Sequence, residues 1–376
     1  MQKTGFVNLP LHSGKCPKWL FPRMVKLGKE IASFIVFEYG QDEFLKRISN
    51  PFFFQSLGCV LGFDWHSSGL TTTVTGALKK ALNENYNELG LFCAGGKGLA
   101  SRKAKDEIKD AVEKFNLNSK KEELLLKASK LSAKVDNCLL QDGFQLYHHS
   151  IFISENGSWT VVQQGLNENL SYARRYHWLS FKVESFVEEP HSGIHSHVFL
   201  EKVLDLTSKE SKENRNVSLD LAKENPSHLR GIFKCVFEKQ KTLNSFIFKE
   251  EKCSEKNFTM QKNHLIPKMK ERDYETLKRV YEIQPENYES FLMIKGVGAK
   301  TIRALALIAQ LIYGVEASWE DPAKFSYAHG GKDKIPYPVD KELMDENTDL
   351  LREALKQAKI GDFEKRNALK RLSFVY

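Results

Sequence analysis

Apolar residues recur every three or four positions across Leu20, Met24, Leu27, Ile31 and Phe34, which predicts a helix near the start of the chain. The run from Cys59 to Phe63 is unbroken and meets the polar, Gly-bounded loop DWHSSG, the pattern of a buried strand leading into a site. LTTTVTGALKKALNENY fits strand or helix at first and helix in its second half. LGLFCA is a second buried-strand candidate, followed by GGKGLAS and by KAKDEIKDAVEKF, an amphipathic helix. A charged helix is expected over about 119–134. In LYHHSIFISENGSWTVVQQGLN, residues 146–167, two alternating segments flank Asn156-Gly157, which predicts a β-hairpin. SYARRYHWLSF continues the pattern until Pro190 and Gly193 break it.

Beyond about 205 the pattern changes. Residues 205–265 are rich in Lys, Glu and Asn, with helices expected at 206–214 and 226–245 and a solvated stretch after them. The last block reads as helical through DYETLKRVYEI, PENYESFLMIKGVGAKTIRALALIAQLIYG and ELMDENTDLLREALKQAKI, with Pro285 at a helix start and Gly314 at a helix stop. The expected architecture is therefore a mixed α/β or α+β domain at 1–205 and a charged helical connection at 206–265. An all-α domain at 266–376 completes it.

A net charge of +8 and a pI near 8.9 favour an anionic partner, nucleic acid first. The six cysteines are scattered without C-x-x-C spacing, which argues against a zinc ribbon or a disulfide framework. MQKTGFVNLP lacks the apolar core of a signal peptide, and no run approaches the ~20 residues of a membrane span, so a soluble cytoplasmic protein is expected. A homo-oligomer is compatible with the sequence, which does not specify one.

In FLMIKGVGAKTIRAL an apolar helix end meets Lys295, Gly296, Val297 and Gly298, and a second helix starts at Ala299. This resembles the helix-hairpin-helix of DNA-repair and recombination proteins. Two glycines permit positive φ and bring backbone N–H groups towards a phosphate, while the second helix aims its positive end at the same anion. Lys295 and Lys300 add charge. The segment also resembles the lysine-bearing stretch of endonuclease III-type glycosylase/lyases, which makes Lys300 the Schiff-base position and Asp321 the nearest acid. A tight helix–helix corner that serves only packing is the plainer alternative.

Candidate chemistry gathers in the first half. Asp64 and His66 stand at the end of an apolar run, a place where α/β proteins collect catalytic groups, although Ser, Thr and Asp there also serve as helix caps. GGKGLAS offers a glycine loop with Lys97 but no Walker pattern, so no nucleotide cofactor is expected. The hairpin loosely resembles the phospholipase D-type phosphodiesterase motif, with His148 or His149, Glu155, Gly165 and Asn167 at the matching positions and the lysine missing. A metal-dependent alternative would place Mg²⁺ or Mn²⁺ among Asp64, His66, Asp142, His148, His149, His177 and His191, joined by Glu188 and Glu189. Arg174, Arg175 and Tyr176 beside His177 suit a phosphate backbone or a stacked base.

The segments MQKTGFVNLPLHSGKCPKWLFPRM, GFDWHSSGLTTT, GGKG, YHHSIF, VVQQGLN, ARRYHW, FVEEPHSGI and DPAKFSYAHGGKDKIPYPVD together resemble the archaeal and bacterial family catalogued as domain of unknown function 763. That resemblance implies no activity. The residues themselves point to a DNA-processing enzyme that hydrolyses phosphodiester bonds. His148, His149, His66 and Asp64 are the expected chemical groups, and Gln163, Gln164, Asn167, Arg174, Arg175 and His177 the substrate contacts. Lys295, Gly296, Val297, Gly298 and Lys300 would hold the backbone. A non-catalytic DNA-binding or scaffold protein of repair and an abasic-site lyase are the alternatives.

Overall fold

The computed structural model describes residues 16–63, 68–196, 199–234, 266–323 and 341–372. Leu20–Tyr39 forms α1, and Met24, Leu27, Ile31 and Ile35 make its buried stripe. Gln41–Ile48 is α2 and Pro51–Val60 is α3. The Asn50 side chain accepts the Phe52 and Phe53 N–H groups at 2.8 and 3.2 Å, and Pro51 follows at the first helical position. This cap accounts for a correction. The apolar run from Cys59, expected as a strand, begins as the last turn of α3, which is buried at every position. Periodicity cannot separate a fully buried helix from a strand, and the deciding signal lies upstream at Asn50-Pro51.

Gly69–Glu84 is α4, helical from its first residue, and Tyr86–Leu89 is the short α5. Leu91–Lys97 is β1, so the first part of the glycine loop is strand. Leu99–Arg102, Ala104–Lys114 and Ser119–Cys138 are α6, α7 and α8. Leu140–Gln141 is β2, Gln145–Ser154 β3, Trp159–Asn167 β4, Tyr172–Leu179 β5, His191–His195 β6 and Leu204–Asp205 β7. The helix expected at 206–214 lies at Lys212–Ala222 (α9), and 226–234 is helical (α10), while the rest of the helix expected at 226–245 lies outside the described residues. Glu271–Ile283, Tyr288–Met293, Ala299–Tyr313, Lys341–Gln357 and Asp362–Leu372 are α11 to α15.

The protein is thus mixed α/β and mostly helical, around a five-stranded sheet of order β1-β3-β4-β5-β6 in which every pair is antiparallel. The 155–158 turn closes the expected hairpin. Its register pairs His148 with Gln164 and His149 with Gln163. One sheet face, through Cys93, Phe152, Val162 and Leu179, lies in a core with α1–α4 that continues to α14 and α15. The other, through Phe92, Ile151, Val161 and Trp178, packs on α7 and α8 in a core that continues into α13. The boundaries expected at 205 and 265 therefore do not separate cores: α13 shares its core with the sheet, and α14 and α15 return to α1 and α3.

Gly95 shows why GGKG stands where it does. At φ +93°, a Cβ there would lie 2.2 Å from the His149 carbonyl oxygen. The Gly95 N–H donates to Glu107 Oε2 at 2.7 Å, and Lys79 Nζ donates to its carbonyl at 2.8 Å. Within the glycine loop, Gly95 thus marks a close strand-to-strand approach. Gly95→Ala should destabilise the fold by about 2 kcal/mol or more, from backbone strain and the clash together. A urea midpoint unchanged from the parent protein would contradict this.

Candidate active-site cleft

Because side chains alternate along a strand, adjacent residues face opposite ways. His148 and His149 are therefore separated by the sheet. His148 lies 1% exposed on the α4 side, with Nε2 at 3.0 Å from Thr75 Oγ1 and 3.1 Å from Ser150 Oγ. Burial pushes its pKa down to about 3. On the same face His177 Nδ1 sits 3.0 Å from the Ile48 carbonyl, and Arg175 donates to His177 Nε2, to Gln55 and to Thr71. Gln164 donates to the Ser68 carbonyl at 2.7 Å.

These placements revise several expectations. Arg174, Arg175 and His177 do not face a nucleic-acid backbone, since each is 0% exposed. Arg174 instead binds Asp142 at 3.1 Å and Asp321 through two bonds of 2.9 and 2.7 Å. Asn167 accepts from the Leu170 N–H in the turn after β4. Asp64 and His66 lie outside the described residues, as does the DPAKFSYAHGGKDKIPYPVD segment beyond Ala323. The expected metal set is dispersed: Glu188 pairs with Arg215, Asp142 with Arg174, and the histidines split between the two faces. Among the described residues no three His, Cys, Asp or Glu side chains gather so as to hold a metal ion.

His149 has a different setting. It points to the α8 side, where its Nε2 is 2.8 Å from Ser129 Oγ and its Nδ1 is 2.8 Å from Gln163 Oε1. Gln163 donates to Asp136 Oδ2 at 2.6 Å. Asp136 also takes Trp178 Nε1 at 3.1 Å and His191 Nε2 at 2.6 Å. Burial lowers the His149 pKa, opposed in part by its bond to Gln163, so the ring is neutral at pH 7. Ser129 lines a cleft of about 950 Å³ between α6–α7, α8 and α12, and Arg102, Lys105, Lys127 and Lys130 stand around it. Lys127 is paired with Glu289 at 2.8 Å. Ser129 and Asp136 carry no motif. Their only signal is a spacing of seven, which puts both on one face of α8.

The 294–298 turn follows directly after α12, whose Met293 lines this cleft. Ser290 and Met293 of α12, with its N-cap Asn287, stand in the cleft wall. Lys134 Nζ donates to the Val297 carbonyl at 2.5 Å, and Lys130 Nζ reaches the Met293 carbonyl at 3.5 Å. Positive side chains at carbonyls that a helix end leaves open are favourable. Burial pulls the Lys134 pKa down. Within the turn Val297 is buried, whereas Lys295 and Gly296 are exposed, with Gly296 at φ +101°. Lys300 is ion-paired with Asp273, so the acid beside it is that one, while Asp321 holds Arg174.

The buried imidazoles make stability depend on pH. An unfolded histidine titrates near ~6.5. Below that, the unfolded chain binds protons that His148, His149 and His177 refuse when folded. Stability therefore falls as pH drops from about 6.5 towards about 3, by up to ~1.4 kcal/mol per pH unit per group. Asp142, raised by burial to about 6, and Asp205, also raised by burial, work in the opposite direction but are two groups against three. Thermal melts at pH 7.5, 6 and 5 should show a falling Tm. A flat profile would mean that these rings protonate freely in the fold.

Among the described residues no helix is long and apolar enough to cross a membrane. Cys16, Cys59, Cys93 and Cys138 are free thiols. A family model described as "Protein of unknown function (DUF763)" matches residues 5–339. No curated protein and no solved structure matches the chain.

Proposed function

The chain belongs to the DUF763 family, and from the geometry of its cleft we propose that it is a DNA-processing phosphodiesterase. One observation carries the reading. The neutral imidazole of His149, bonded to a hydroxyl on the cleft wall, and the Gly296 turn are both fastened to the same helix, α8. A general base next to a hydroxyl can move a proton in a displacement at phosphorus. The exposed Lys295 and Gly296 at the head of α13 form a helix-hairpin-helix that holds the sugar-phosphate backbone without reading sequence. Arg102, Lys105 and Lys130 supply charge for the strand between them.

The test is to incubate the full chain with end-labelled single-stranded, duplex and branched DNA, with EDTA and with Mg²⁺ or Mn²⁺. Cleavage of at least one substrate is expected. Cleavage that survives EDTA assigns the step to the protein's own side chains, and cleavage lost with EDTA assigns part of it to a cation. Binding without cleavage in any condition would replace the enzyme with a DNA-binding scaffold. Neither binding nor cleavage would end the reading.

A further inference from the structure

Ser129 stands midway along α8, half-buried, with its side chain on the cleft. The direction of its hydrogen bond to His149 can be worked out from the far end of the chain of contacts. A carboxylate only accepts, so Gln163 must turn its NH₂ group to Asp136. The Gln163 oxygen then faces His149 Nδ1, which must carry the proton. Nε2 is left with its lone pair and accepts from the Ser129 hydroxyl. Asp136 and Gln163 are both 0% exposed, and Trp178 and His191 hold the carboxylate from its other sides. This is the arrangement of an activated nucleophile: hydroxyl, base, and a group that orients the base.

We propose that Ser129 is the nucleophile of the cleft and forms a covalent phosphoserine link to an anionic phosphodiester, with His149 as its base and Gln163 and Asp136 as positioning residues. The choice of substrate rests on the phosphodiesterase reading, whereas the reactivity of the hydroxyl does not. In the first step His149 Nε2 takes the Ser129 proton while Oγ forms a bond to phosphorus. The bond from phosphorus to one sugar oxygen breaks, and that oxygen leaves with the proton from His149. In the second step a water attacks the same phosphorus and gives its proton to His149. The phosphorus–Oγ bond breaks, and Ser129 recovers a proton from the imidazolium. Arg102, Lys105 and Lys130 can neutralise the non-bridging oxygens throughout.

A fluorophosphonate probe separates the two layers, because it reports an activated serine without any DNA. Intact chain is treated with the probe and digested, and the labelled peptide is identified by mass spectrometry. Labelling is expected at Ser129, at least tenfold faster than at any other serine. It should be absent in Ser129→Ala and at least tenfold slower in His149→Ala, with melting curves recorded for each. If His149→Ala fails to fold, the pH profile of the parent protein decides. An activated hydroxyl labels at a nearly constant rate from pH 8 to below 6.5, because the base loses its proton at lower pH than a free imidazole. Absence of label at Ser129 in the folded protein, or a rate indifferent to the loss of His149, overturns the proposal. DNA cleavage undiminished in Ser129→Ala also overturns it while leaving the phosphodiesterase reading in place. Labelling without cleavage of any DNA keeps the nucleophile and removes the DNA substrate.

Discussion

His149→Ala is expected to lower the rate of DNA cleavage by about 10²–10⁴, the range attached to the loss of a positioned general base, while DNA affinity stays within about twofold. The two quantities separate because the residue's place is catalytic and not adhesive. Its ring is 7% exposed, and both nitrogens are engaged by Ser129 and Gln163. The expected backbone contacts, at Lys295 and Gly296 and around Arg102 and Lys130, belong to other elements. Single-turnover cleavage measured beside equilibrium binding to the same labelled DNA gives both numbers. Equal loss of binding and cleavage would make His149 a structural group, and its hydrogen bond to Ser129 merely the satisfaction of a buried ring.

Arg174→Leu should cost about 3–5 kcal/mol of folding stability, the usual consequence of removing one partner from a buried ion pair. The guanidinium is fully buried and joins three distant parts of the chain. These are Asp142 in the loop after β2, β5 itself, and Asp321 beyond α13. It also lies over the Phe144 ring, 4.7 Å from the ring centroid. With Arg174 gone, Asp142 and Asp321 lose the cation between them in a dry interior, and Asp142 is left with the Tyr176 hydroxyl at 2.7 Å and the Phe144 N–H at 3.0 Å. A double variant, Arg174→Leu with Asp142→Asn, should recover part of the loss. Urea denaturation of the single and double variants checks both statements. A single variant within 1 kcal/mol of the parent would mean that water reaches the pair.

Much of the site's scaffold was readable in advance from local pattern. The alternation through Ile151, Ile153, Val161 and Trp178 specifies strands whose residues are buried in the structure. Asn156-Gly157 falls in the turn that joins β3 to β4, which sets Gln163 opposite His149. The spacing of Leu125, Ala128, Leu131 and Val135 specifies α8 and the face it buries. Less legible was the use made of each polar residue. The basic-aromatic stretch Arg174-Arg175-Tyr176-His177 reads as a surface for phosphate, yet its charges are satisfied inside by Asp142, Asp321 and Gln55. Those partners are far away in sequence, and no local rule announces them.

The sequence alone indicated the β3–β4 hairpin and the helices α1, α7, α8, α11 and α13, because those depend on periodicity, caps and turn residues within a few positions of one another. Only the tertiary structure decided which helices cover the two faces of the sheet, and that His149 meets a serine of α8 in a charged cleft. The reason is geometric. Alternation assigns faces, but which helix covers a face, and which side chain it brings there, depends on packing between segments that the local pattern treats as independent.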